Sequence, residues 1–258
     1  MALKFNGTSD KVSHGDIQAL DSATALTFTC WAYIVESGNV GSLGIAGKDG
    51  ALAADMLTLF INGASASPAR IVGVTDGASH VSYCTVGSLT LNTWQHIATV
   101  FDGSVSAGSR MGFYINGVSV GSAQDNAGTA LADMGTKTFT VGFTAGFGSP
   151  ATHVANVKMW NAKLTASEVL SEYQNYEPQK KDNLLLWAPY DDDGNFARDY
   201  SGNGNHGTVT GAVTSDLGTP TGMVYPPRVR LASRFSRRHS KIRRNNFQRF
   251  SGVLPRFM

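Results

Sequence analysis

Beyond Asp216 the sequence contains no Asp or Glu. Position 220 divides 11 Lys and Arg, together with all 19 carboxylates, from the remaining 10 cations. The body therefore carries −8 and the C-terminal segment +10. Ten like charges without a counter-ion repel one another, which excludes independent compact folding of that segment and points to an anionic partner. Cysteine is scarce as well. Cys30 and Cys84 are the only two, each in an apolar strand-like run, which excludes a disulfide-built scaffold and leaves open only a bridge between them. No run approaches the roughly 18 apolar residues of a membrane span. The opening MALKFNG has no charged region followed by an apolar stretch, so no Sec-type signal peptide is expected and synthesis in a cytoplasm is.

What is abundant is glycine, 29 residues in 258, among short runs of alternating apolar and polar residues. In LTFTCWAYI, residues 26–34, Leu26, Phe28, Cys30, Ala32 and Ile34 share one face and Thr27, Thr29, Trp31 and Tyr33 the other. Similar runs recur in DMLTLFING, ARIVGVTDG, HVSYCTVGSLTL, TWQHIATVFDG, RMGFYINGVSVG, KTFTVGF, HVANVKMWN and NLLLWAPY. Asn116-Gly117 between two such runs predicts a two-residue hairpin turn, since both positions must accept positive φ. Only LTASEVLSEY, residues 164–173, reads as a helix. Thr165 is its N-cap, Glu168 completes a capping box, and Leu164 with Val169 forms the staple.

The expected fold is all-β: a two-sheet antiparallel jelly-roll sandwich of about a dozen strands, with one short helix and a basic C-terminal arm. Residues 1–217 form the sandwich, 218–227 a Pro/Gly linker and 228–258 the arm. Trp94, Trp160 and Trp187 are expected in the core.

Three stretches together resemble the laminin-G-like, concanavalin A-like lectin/glucanase superfamily. They are LKFNGTSDKV with LTFTCWAYI, NTWQHIATVFDG with FYINGVSVG, and FTVGF with VANVKMWNAKLTASEVLSEY. DYSGNGNHGTVTG, residues 199–211, is similar to an element that many relatives place before the opening strand, whereas here it comes late. A permuted order closes the same sandwich if residues 184–190 and 207–213 lie beside the N-terminal strand. With them the resemblance spans about residues 3–217.

The resemblance implies sugar binding through aromatic faces, for which Trp31 and Tyr33 are the candidates. It also implies a structural calcium, with Asp10, Asp199, Asn203 and Asn205 as candidate ligands; the competing reading of these residues is a set of Asx-type turns. Glycoside hydrolysis needs two suitably spaced carboxylates, and Asp191 to Asp193 in a DDDG turn are a poor pair, so no catalytic residue is assigned. The six histidines show no metal-binding spacing, and His96, in a strand after Trp94, is read as a satisfied structural histidine. No cofactor other than calcium is implied.

The arm interleaves its charges with apolar residues. Its candidate partner-binding residues are Arg228, Arg230, Arg234, Phe235, Arg237, Arg238, Lys241, Ile242, Arg243, Arg244, Phe247, Arg249, Phe250, Arg256 and Phe257. A purely solvating tail has no use for the phenylalanines. Guanidinium groups suit carboxylates and phosphates, so a protein lattice is the first expected partner and nucleic acid the second. A lectin-like sandwich with a basic anchor and no signal peptide resembles phage or viral structural proteins that decorate a particle. A virion accessory protein is the expectation, a separate glycan-binding module the alternative, and a glycoside hydrolase the third reading.

Overall fold

The computed structural model describes residues 1–35, 43–49, 56–62, 70–75, 80–84, 89–142, 151–191, 195–218, 220 and 222–224. Met1–Tyr225 form one compact unit. The candidate arm residues, Arg228 to Phe257, lie outside the described residues.

The strands are β1 (Leu3–Asn6), β2 (Lys11–Ser13), β3 (Ala25–Ile34), β4 (Leu43–Asp49), β5 (Met56–Asn62), β6 (Arg70–Val74), β7 (Val81–Cys84), β8 (Trp94–Asp102), β9 (Met111–Ile115), β10 (Val118–Ser119), β11 (Ser122–Gln124), β12 (Phe139–Val141), β13 (Ala151–Trp160), β14 (Leu184–Ala188), β15 (Thr208–Thr210) and β16 (Val213–Thr214). One helix, α1 (Ala166–Gln174), lies between β13 and β14. The strands form two antiparallel sheets, ordered β10-β9-β8-β3-β13-β1-β16 with β14 also on β13, and β11-β7-β6-β5-β4-β12-β2-β15. This is the expected sandwich, with several additional two- and three-residue strands.

The late segments close both sheets beside the N-terminus. β15 pairs with β2, placing Val209 opposite Val12, and β16 pairs with β1, placing Val213 opposite Lys4. β14 instead pairs with β13, as β1 does farther along that strand. Residues 184–188 therefore sit in line with the N-terminal strand and bond to its neighbour.

The inner face of β3 behaves as its alternation dictates: Leu26, Phe28, Cys30, Ala32 and Ile34 join Phe101, Phe113, Phe139 and Val154 between the sheets. Cys30 and Cys84 are buried thiols with no disulfide between them.

The outer face is buried too, because α1 and the segments around it make a third layer. Ala98, Val100, Trp160, Leu164 and Val169 form a second apolar cluster, and Ala2, Trp31, Ala155 and Met223 a third. Helix α1 starts as its sequence prescribes: Thr165 Oγ1 accepts from Glu168 N–H at 3.3 Å, and Glu168 Oε2 accepts from Thr165 N–H at 2.8 Å. A buried ion pair fastens it to the sheet, Lys158 Nζ to Glu172 Oε2 at 2.8 Å, while Glu172 Oε1 accepts from Gln179 N–H and Lys180 N–H.

Two expectations change. Trp160 is buried beneath the helix rather than between the sheets, while Trp94 and Trp187 are only half-buried on the outer face. The stretch expected to be a linker is partly body. Met223 is 8% exposed, and Val224 N–H donates to Gln174 O at 2.8 Å, so residues 223–224 pack onto the outer layer.

A candidate glycan-binding face on the outer sheet

Strand register arranges the outer face in transverse rows. Thr27 pairs with Trp160 and Val100, and Thr29 with Lys158 and Ala98. Both rows lie under α1. In the next row His96, Trp31 and Ala155 are neighbours, and in the last Trp94, Tyr33 and His153 are followed by Lys4 and Val213.

The two candidate sugar-stacking residues thus have different fates. Trp31 is 2% exposed, stacked on Tyr173 at 5.5 Å between ring centroids and edge-on to His96 at 5.7 Å. It is not a surface platform in this conformation, because Tyr173 of α1 and Met223 cover it. Tyr33 lies in the row where the third layer stops: Tyr33 and Trp94 are half-buried, whereas His153 is 3% exposed. Its ring meets Trp94 at 5.9 Å and 67°, and His153 at 5.6 Å and 80°, both edge-to-face.

Polar groups border this aromatic row. His153 Nδ1 lies 2.7 Å from Ser215 Oγ, and Lys4 Nζ is 3.7 Å from Asp216 Oδ1 in an exposed pair. Burial, followed by the Lys4 charge, holds the His153 imidazolium below its usual range, which favours the neutral ring. The half-buried Tyr33 and Trp94 rings, backed by the buried His153, and the exposed Lys4 ammonium and Asp216 carboxylate can together take a sugar ring and its hydroxyls. Trp94, His153, Lys4, Ser215 and Asp216 were not among the sequence candidates. Only the pairing of β8, β13, β1 and β16 around β3 brings them to Tyr33.

Beneath the row the layer is unusually short of hydrogen bonds. Among the described residues, the buried side-chain atoms without a partner are Thr29 Oγ1, Trp31 Nε1, Trp94 Nε1 and His96 Nδ1, all on this face. Burial drives the His96 pKa down to about 3, aided by Lys158, so His96 is a neutral structural histidine.

The candidate calcium ligands are engaged otherwise. Asp199 accepts from Trp187 N–H (3.1 Å), Ser201 N–H (2.8 Å), Ser201 Oγ (2.9 Å) and Asn205 N–H (2.9 Å). Asn203 Nδ2 donates to Leu184 O at 2.6 Å and Asn205 Nδ2 to Leu185 O at 2.8 Å. The loop thereby supplies, from side chains, the partners that a neighbouring strand would give β14. Asp10 caps Asn6 N–H at 2.9 Å, in a different turn. Donors already crowd the Asp199 carboxylate and the two amides present N–H groups, so these residues do not fit a calcium cage as arranged. Among the described residues no three His, Cys, Asp or Glu side chains are grouped for a metal.

Asp191 accepts from Tyr176 Oη at 2.6 Å, and Asp192 and Asp193 lie outside the described residues. No described helix is long and apolar enough to cross a membrane.

Comparisons agree with this architecture. A carbohydrate-binding candidate protein from Bacteroides ovatus superposes with a TM-score of 0.60 at 18% identity, over 82% of this chain and 58% of that one. A heptameric SAP-like pentraxin from Limulus polyphemus superposes with a TM-score of 0.52 at 18% identity, over 67% of this chain and 81% of its own. No curated protein matches the chain. Residues 6–170 match the family described as the concanavalin A-like lectin/glucanases superfamily, and the chain, a lectin-like sandwich, belongs to that superfamily.

Proposed function

We propose that the chain is a non-enzymatic glycan-binding module whose ligand lies along the Trp94–Tyr33–His153 row, bordered by Lys4 and Asp216. The observation that carries this reading is the pair of half-buried rings, Tyr33 and Trp94, edge-to-face beside the buried His153, with the exposed Lys4–Asp216 pair at its margin. The test is a glycan array with the full-length protein, followed by calorimetry on the ligands retained. Tyr33→Ala or Trp94→Ala should weaken binding about tenfold or more, the loss of roughly 1.4 kcal/mol or above, whereas Tyr33→Phe should keep most of it. Retention of no glycan, or unchanged binding by folded alanine variants, would refute the reading. Release of reducing sugar would refute its non-enzymatic part.

The charge asymmetry supports a second element of the proposal. The basic C-terminal segment, +10 without a carboxylate, fixes this module to a larger assembly, and a virion surface is the setting that suits it best. Arginine and phenylalanine together suit an anionic protein lattice that orders the segment on docking. Replacing the ten cations by Gln in the full-length chain should abolish cosedimentation with the particle. Cosedimentation that persists would remove the anchoring role, and salt-sensitive capture by nucleic acid instead would reassign the partner.

A further inference from the structure

Residues 222–224 run over the buried part of the aromatic face as a strap. An ideal Cβ at Gly222, where φ is +113°, would lie 3.6 Å from the Trp31 ring and from Tyr173 Oη, so the strap passes close over both. It is a poor chemical match for what it covers. Trp31 Nε1 and His96 Nδ1 are left without partners. Asn156 Nδ2 spends one hydrogen on Tyr176 O at 3.0 Å and the other on the Met223 thioether at 3.2 Å, a weak acceptor. An indole and an amide donor thus lie under a glycine and a methionine, with an unpartnered imidazole nitrogen on the far side of Trp31. Among the described residues the other unpartnered buried side-chain atoms, Thr29 Oγ1 and Trp94 Nε1, lie on this same face, whereas Glu172 and Asp199 sit in dense networks.

The strap's own attachments are few. Among the described residues, those of Gly222–Val224 include the Met223 side chain and two backbone bonds, Val224 N–H to Gln174 O at 2.8 Å and Tyr176 N–H to Val224 O at 3.2 Å. Removing it would uncover the edge of Trp31 and the Tyr173 hydroxyl that face it, with His96 still seated between those two rings, and would break no bond within either sheet. The uncovered patch would continue the Tyr33 row. Trp31 and Tyr33 lie on one face of β3 about 7 Å apart, a step that adjacent rings of an oligosaccharide can bridge.

We infer that Trp31 and Asn156 form an inner sugar subsite, backed by His96, and that Gly222–Val224 is a strap displaced when an oligosaccharide extends from the Tyr33 row into it. This rests on the glycan reading proposed above. The ligand's hydroxyls would accept from Trp31 Nε1 and Asn156 Nδ2, replacing the thioether with an oxygen partner. A strap that is closed most of the time lowers apparent affinity by the fraction of molecules that are open, so loosening it should tighten binding.

The test uses full-length Met223→Ala, with Met223→Leu as the volume-conserving control, titrated with a monosaccharide and with the matching oligosaccharide chosen from the array. Met223→Ala should bind the oligosaccharide about fivefold or more tighter than the parent, with monosaccharide affinity unchanged, and Trp31→Phe should cancel the gain. In the unaltered protein, hydrogen exchange at the Val224 amide should speed up on saturation with the oligosaccharide. Unchanged oligosaccharide affinity in folded Met223→Ala, or slower exchange at Val224, would overturn the strap while leaving binding at Tyr33 intact. Loss of all glycan binding from the parent protein would overturn both.

Discussion

Lowering the pH should destabilise this protein through His96 in particular, and the size of the effect follows from its burial. The side chain is 1% exposed between Trp31 and Tyr173, with Lys158 as the charged neighbour that acts on it. Burial and that charge hold its folded pKa at about 3, against 6.5 for an accessible histidine. Below pH 6.5 the unfolded chain therefore takes up a proton that the folded chain refuses, and stability falls as pH drops toward 3. Stability that is fully present above pH 7 should be reduced by about 3 kcal/mol at pH 4 from this group alone. His14 and His153 act in the same direction, both lowered chiefly by burial, and carboxylates titrate in the same range. The isolating measurement is therefore a difference. Urea unfolding free energies at pH 7 and pH 4 are compared for the parent and for His96→Leu, and the parent should lose about 3 kcal/mol more than the variant. Equal losses would mean that His96 is protonated in the folded state and that its surroundings are more polar than described here.

Three further outcomes follow from the packing. Glu172→Gln should destabilise by about 3–5 kcal/mol, because it strands the Lys158 ammonium in a site where both side chains are at most 1% exposed; the paired change Glu172→Leu with Lys158→Met should recover most of that loss in denaturant titrations. Gly117→Ala should cost about 2 kcal/mol or more, visible as a lowered Tm, since the residue has φ +77° and its Cβ would press on Leu170 of α1 at 2.7 Å. Asp199→Ala should cost about 2–4 kcal/mol by leaving the Trp187 and Asn205 N–H groups unpaired, while the parent protein's Tm should not move when calcium is added or chelated; a rise of several degrees with calcium would revive the metal reading.

Much of the fold could be read from the sequence because local chemistry determined it. The Thr165–Glu168 box sets the start of α1, and Asn116 with φ +51° before Gly117 makes the hairpin that the dipeptide demands. The late segments closing beside β1 and β2 followed from a displaced family element. The site was less legible, for two physical reasons. Alternation assigns Trp31 and Tyr33 to the same outer face, but it does not say what covers that face. One is buried by Tyr173 and Met223, the other is not. In β13, moreover, alternation fails. Asn156 adopts φ +49° at a bulge, the register shifts between Ala155 and Lys158, and the faces exchange. His153 and Lys158 both reach the outer face only because of that extra residue, and nothing in HVANVKMW distinguishes the bulge from an ordinary strand position.

That bulge also explains why the open row and the covered row differ. Asn156 uses its displaced side chain to hold three parts of the outer layer: it accepts from Trp187 Nε1 at 3.0 Å, donates to Tyr176 O, and reaches the Met223 sulfur. Lys158, two residues on, receives Glu172 and the Asn175 carbonyl at the end of α1. The covering layer is thus pinned along the part of β13 that follows the bulge. Ahead of it, at His153, the strand has no such anchor and pairs instead with β1, whose Lys4 is half-exposed. The third layer ends where its attachments end, one row short of Tyr33. An aromatic row left half-open at the limit of a pinned cover is therefore a consequence of where Asn156 sits.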